Sequence, residues 1–285
     1  MSSPEVFWPY FALVVSVSAA VVAAWREIQR GGGLDKADLP GRMTLAIPIA
    51  VFGAEHLSAA HELMNGVPRW MPWHLFWAYF VGVALIAAAL SIIFRAWVRL
   101  SASLLSFMLF CFVAMIQVEN VFADPHSRFT WTIVARDSAF SAGALILAAA
   151  SGRRTPTVDR VAAVAFYWIA VVSIFFGVEN VLHAGCVPAV PLAKLVPRWI
   201  PLAHFWTLLT GILLVAGGAA MLVKKLARPA AAALGAWVLL LVLTIYLAIM
   251  ISQPDVEGIN YFADTMMFAG ILFLASLFPR RKPDC

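Results

Sequence analysis

Nine stretches of about twenty apolar residues run along this chain, each closed by a short polar segment. They lie at roughly 6–25, 43–64, 73–94, 101–122, 130–151, 161–184, 202–223, 231–252 and 259–278. A helix rises about 1.5 Å per residue, so each stretch is long enough to cross a hydrocarbon layer of ~30 Å. The pattern predicts an all-α integral membrane protein with about nine transmembrane helices.

The polar positions within and between these stretches recur in order. Phe52-Gly53-Ala54-Glu55, Val67-Pro68-Arg69-Trp70-Met71-Pro72, Phe76-Trp77 and Gly82 return as Phe176-Gly177-Val178-Glu179, Val196-Pro197-Arg198-Trp199-Ile200-Pro201, Phe205-Trp206 and Gly211. Asp137 stands before Gly143 as Asp264 stands before Gly270, at the same spacing. Recurrence in fixed order is the mark of internal duplication. Residues 1–42 then hold an extra helix and an inner linker, 43–152 a first four-helix repeat, 159–279 a second, and 280–285 a basic inner tail. Four spans per repeat make the repeats parallel rather than inverted, unlike the inverted repeats of many transporters. Two four-helix bundles, related by an axis along the membrane normal, are expected. Length differences fall in loops, as insertions usually do. The second repeat has extra residues around Ala189 to Ala193 and is shorter before its last helix. Gly31 to Asp38 reads as the inner linker, with Pro40 in the first turn of the following helix. Ser151 to Thr157 reads as an inner hinge between repeats.

Composition agrees with a membrane protein. The chain is 63% hydrophobic and 12% charged, with mean hydropathy +0.89, against roughly 25% charged for soluble domains. Little room is left for a soluble domain. With the N-terminus placed outside, fifteen of the twenty Lys and Arg residues fall on the inner side, as the positive-inside rule requires. The net charge of +5 then reflects topology and inner-leaflet contact, not nucleic-acid binding. The first span lacks a basic segment before it, so it reads as a retained helix, not a signal peptide. Cys111, Cys186 and Cys285 form no CxxC or CxxCH pattern, which argues against dithiol chemistry and covalent haem.

Candidate chemistry gathers on the outer side. All six histidines and ten of the fifteen carboxylates fall there under this topology. Glu55, Asp137, Glu179 and Asp264 lie in the outer third of apolar spans, where an unpaired charge costs several kcal/mol. Arg69 and Arg198 are the basic residues repeated on that side, and are expected to pair with Glu55 or Asp137 and with Glu179 or Asp264. Two readings follow. One is a duplicated polar pocket for a headgroup or quinone ring, walled by Trp70, Trp77, Trp199 and Trp206. The other is a structural ion pair with the tryptophans as an interface belt. No metal site is expected: His56 aligns with Asn180, so symmetric histidine sites do not form, and His56 and His61 are five residues apart without an HExxH pattern.

The Val-Pro-Arg-Trp-Ile-Pro segment, the following Phe205-Trp206 and Thr210-Gly211, and Asp264 ahead of Gly270 resemble the DoxX-like family. The resemblance covers 43–152 once and 159–279 again. It implies a four-helix membrane bundle in a bacterial cytoplasmic membrane. Some members of that family are subunits of a thiosulfate:quinone oxidoreductase and most have no assigned activity, so the resemblance leaves the cofactor open, with a quinone as the candidate and a membrane redox protein as the candidate partner. Three functions stay open: a quinone-linked redox component using the paired acids for proton exchange, a non-enzymatic lipid- or small-solute-binding protein, and a transporter. The midplane residues are nearly all apolar, which counts against the last.

Overall fold

The protein, seen as a computed structural model, is described here over residues 3–29, 38–153, 155–192 and 194–278. It is an all-α integral membrane protein. Its long helices are α1 (Pro4–Gln29), α2 (Asp38–Ser58), α3 (His74–Phe94), α4 (Val98–Ala123), α5 (Arg128–Ala150), α6 (Pro156–Leu182), α7 (Ala203–Leu222), α8 (Ala227–Ser252) and α9 (Val256–Ala275). Among the described residues, eight are long and apolar enough to cross a membrane, all but α2. A ninth span is counted when α2 is joined to the turns at 60–66, from which it is bent by 86°. The apolar run expected to continue straight over 43–64 therefore breaks after Ser58. Of the expected inner linker at 31–38, residues 31–37 lie outside the described residues, as does the basic tail at 280–285, while Asp38 already belongs to α2 and Pro40 sits in its first turn as expected.

Local chemistry sets the helix starts. The Ser127 hydroxyl accepts from Thr130 N at 3.3 Å to open α5. Thr155 accepts from Val158 N at 3.2 Å, with Pro156 as the first residue of α6. Asp255 accepts from Gly258 N at 2.6 Å to open α9. Each satisfies an amide that the helix itself leaves unpaired. The α3 and α7 helices begin differently, after a left-handed residue, Trp73 (φ 57°) and Leu202 (φ 55°). Long helices α4 and α8 each carry a π turn, at Val113–Gln117 and Val242–Tyr246. These turns start 129 residues apart (113 and 242), as do α3 and α7 (74 and 203) and α4 and α8 (98 and 227).

Small residues decide which helices touch. A Cβ on Gly177 would lie 2.7 Å from the carbonyl oxygen of Gly211, so α6 and α7 meet backbone to backbone. Gly53 and Gly82 do the same for α2 and α3, at 3.0 Å. Close approach through small residues is how helices associate in lipid. The α4–α5 and α8–α9 pairs also pack along their length. The two halves interlock rather than standing as separate bundles. The α2 helix packs on α9, and α6 packs on α5, while α5 and α9 touch at the centre. The expectation of two four-helix bundles is corrected in this respect: the first helix of each half leans on the last helix of the other. The reason is visible in α9, 89% of whose apolar window is buried. Its turns from Met266 to Ala275 are apolar on every side, and such a stretch belongs inside. The α1 helix packs chiefly on α2 and leaves Phe7, Phe11, Val14, Val21 and Trp25 exposed, a face suited to lipid.

Candidate functional site

Two last helices meet at one polar cluster. Arg136 on α5 reaches Asp137 Oδ1 at 2.8 Å through Nε and Asp264 Oδ2 on α9 at 2.5 Å through Nη1. Gln117, the last residue of the α4 π turn, donates to Asp137 Oδ2 at 3.3 Å. Asn260, one turn before Asp264, donates to Glu55 Oε1 on α2 at 3.0 Å. A planar guanidinium offers donors on two edges and so can serve two carboxylates at once. Asp264 is 5% exposed; left alone in that position it would be a costly buried charge.

A cavity of about 650 Å³ opens beside the cluster. Its apolar wall includes Ile49, Phe52, Leu85, Leu105, Leu109 and Phe140, and its polar end His56, Arg136, Asp137, Asn260, Tyr261 and Asp264. The volume lies within the roughly 300–1,000 Å³ of small-molecule sites, and apolar walls with a few convergent polar groups are their usual makeup. Two hydrogen-bond acceptors at the polar end have no donor among the described residues. Asn260 Oδ1 is buried and unpartnered. His56 Nδ1 lies 2.8 Å from the Phe52 carbonyl oxygen. Only an N–H can bond a carbonyl, so the neutral ring carries its proton there and keeps Nε2 as an acceptor.

The sequence-predicted residues divide. Glu55, Asp137 and Asp264 gather at this one place, although Asp264 belongs to the second half of the sequence. Glu179 lies apart, 3.3 Å from Arg128 and 3.7 Å from His183. The expected pairings of Arg69 and Arg198 are corrected. Both side chains are exposed, and among the described residues neither makes an ion pair; Arg136 and Arg128 take those roles. Each repeated Arg follows a Pro in a loop ahead of a helix and extends to the surface, where water solvates it without a partner. The tryptophans are not cavity walls either. Trp70 and Trp199 are exposed, at 69% and 53%. Trp77 and Trp206 donate to Pro72 and Pro201 carbonyls of their own loops, at 3.0 and 3.2 Å. Phe52, Phe112, Phe129, Phe140 and Tyr261 are the aromatic residues at the cavity.

Arg136 has no signal in the repeat, because Ala263 stands at its matching position. Asn260 and Gln117 are single polar residues near helix ends, unmarked by spacing. At the opposite end of α2, Arg42 is also unmarked beyond its charge. It is 1% exposed and bonds Glu27 at 2.8 Å, Asp38 at 3.0 Å and the Ile92 carbonyl at 3.2 Å, with Arg95 completing the group. That network ties α1 to α2 and α3, and its groups satisfy one another. Among the described residues, no three His, Cys, Asp or Glu side chains gather as a metal ion needs.

These features define a polytopic all-α membrane protein with a ligand-sized cavity at the polar end of its central helices. Comparison with protein-family models, with curated proteins and with solved structures returns no match.

Proposed function

We propose that the protein binds a hydroxyl-bearing ring molecule of the quinol class in the cavity between α2, α4, α5 and α9, and serves as a quinone-linked component of a cytoplasmic membrane. The observation that carries this reading is the pair of unmatched acceptors, Asn260 Oδ1 and His56 Nε2, at the polar end of an apolar cavity. Acceptors without donors favour a ligand that supplies O–H groups, and the aromatic walls suit a flat ring. The resemblance to DoxX-like proteins points to the same class. The sequence offers no electron-carrying motif, so the reading includes a separate membrane redox partner. Glu55 and Asp137 stand beside the site as proton-exchanging groups.

The test has two parts. The purified protein is extracted with organic solvent and the extract analysed for isoprenoid quinones by mass spectrometry. Short-chain quinol is then titrated against tryptophan fluorescence. Saturable binding is expected, with Asn260→Leu weakening it about tenfold, the loss of one hydrogen bond to a buried acceptor. Absence of both quinone and saturable binding defeats the reading, and stoichiometric phospholipid in its place would favour the lipid-binding alternative.

A further inference from the structure

The segment from Cys186 to Leu192 is inserted into the second half where the first half has its cavity. The positions correspond one by one. His56 follows Phe52-Gly53-Ala54-Glu55 as Asn180 follows Phe176-Gly177-Val178-Glu179. Leu85 and Leu214 each stand three residues beyond the glycine of a close helix contact. Gln117 and Tyr246 each end a π turn. In the first half His56 and Leu85 line open space, and Gln117 bonds Asp137 beside it. In the second half Asn180 and Tyr246 hold the chain's own backbone. Asn180 donates to the Ala189 carbonyl at 3.0 Å and accepts from Ala189 N at 3.1 Å. The Tyr246 hydroxyl donates to the Pro188 carbonyl. Arg128 donates to the Pro191 and Leu192 carbonyls at 3.1 and 3.3 Å.

The insert is buried, and its last residue, Leu192, also lines the open cavity of the first half. Val187, Ala189 and Val190 are at most 1% exposed. Asn180, Leu214 and Leu241 are likewise at most 1% exposed, while His56 and Phe112, at the positions matching Asn180 and Leu241, remain half-buried at the cavity. The base of the segment is pinned by a bridge between Cys186 and Leu195 and by Val187 N donating to the Lys194 carbonyl at 2.9 Å. Ala189 takes a left-handed φ of 78°, a conformation that costs a non-glycine residue energy and persists only where its surroundings hold it.

We propose that residues 187–192 are a built-in plug: the chain carries a second, latent site of the same class, occupied by its own backbone, and so binds one ligand rather than two. This rests on the binding reading given above. Extra length in that loop, otherwise unexplained by connection, becomes the element that makes two similar halves unequal. The half with the plug keeps its polar groups satisfied without ligand, and the half without it presents unmatched acceptors.

The experiment is a quinol titration with stoichiometry, by the same fluorescence signal, on four chains. They are the wild type, a chain lacking 188–191, which spares the cavity-lining Leu192, Leu109→Trp, which fills the open cavity, and the two changes combined. The expected equivalents are one, two, none and one. No binding by wild type would defeat the binding reading itself. One equivalent for both the wild type and the folded shortened chain would overturn the plug alone. Should the shortened chain not fold, Asn180→Ala with Tyr246→Phe removes two anchors and leaves the chain length intact. Backbone hydrogen exchange over 187–192 in that variant should speed up further, severalfold, when quinol is added. Exchange indifferent to quinol would refute the plug.

Discussion

Arg136 joins its neighbour Asp137 on α5 to Asp264 on α9, 128 residues from the arginine in sequence. Its replacement by Gln would leave Asp137 and Asp264 facing each other in an apolar surround without a cation. Breaking a buried pair by removing one partner costs about 3–5 kcal/mol, so Arg136→Gln should lower the thermal midpoint in detergent by many degrees. Arg69→Ala, at an exposed site with no ion pair among the described residues, should stay within about 0.5 kcal/mol of wild type. Equal losses for the two variants would contradict the assignment of the cation. The sequence made the acids legible, because charge in an apolar span is conspicuous. It did not make their partner legible. Repetition drew attention to Arg69 and Arg198, which recur, whereas the residue that pairs stands in one half only, with Ala263 at the other. Duplication marks what both halves share, and here the chemistry depends on a difference between them.

At the scale of helices, close contacts rest on glycines whose place in the sequence was visible but whose partners were not. Gly53, Gly82, Gly177 and Gly211 were recognised as recurring anchors. Only three dimensions pair them as two crossings, α2 on α3 and α6 on α7. Gly177→Ala would set a methyl group 2.7 Å from the Gly211 carbonyl oxygen, and overpacking of this kind costs about 1–3 kcal/mol. Gly66, with nothing within 4 Å of an added Cβ, is the control: Gly66→Ala should leave the unfolding midpoint unchanged. A Gly177→Ala protein as stable as the control would show that α6 and α7 have slack. The nine apolar runs were legible at nearly their true positions because length and hydropathy suffice for a span. The 86° bend after Ser58 was not, since apolar residues continue across it. The π turns were not either, because they alter hydrogen-bond register without altering composition.

For the molecule as a whole, sequence reading gives the membrane class and misses how α2 to α5 engage α6 to α9. Because α2 leans on α9 and α6 on α5, the polar residues of α9 are delivered to the cavity of the first half. Asp264 and Asn260 therefore serve a site that the linear repeat would assign to 43–152. The basic bias predicts an N-terminus outside and a C-terminus inside. Reporter fusions at residue 3 and residue 285 should report opposite sides, and both ends on one side would refute the topology. The central claim is narrower than topology: one molecule of the quinol class sits between α2 and α9 with its hydroxyl at Asn260. A photoreactive short-chain quinol, cross-linked to the purified protein and mapped by peptide mass spectrometry, tests it most directly. The account predicts labelling of residues 49–56 and 256–267, suppressed by excess unlabelled quinol and by Leu109→Trp. Labelling confined to the lipid-facing surface of α1 or α3, insensitive to competitor, would contradict it.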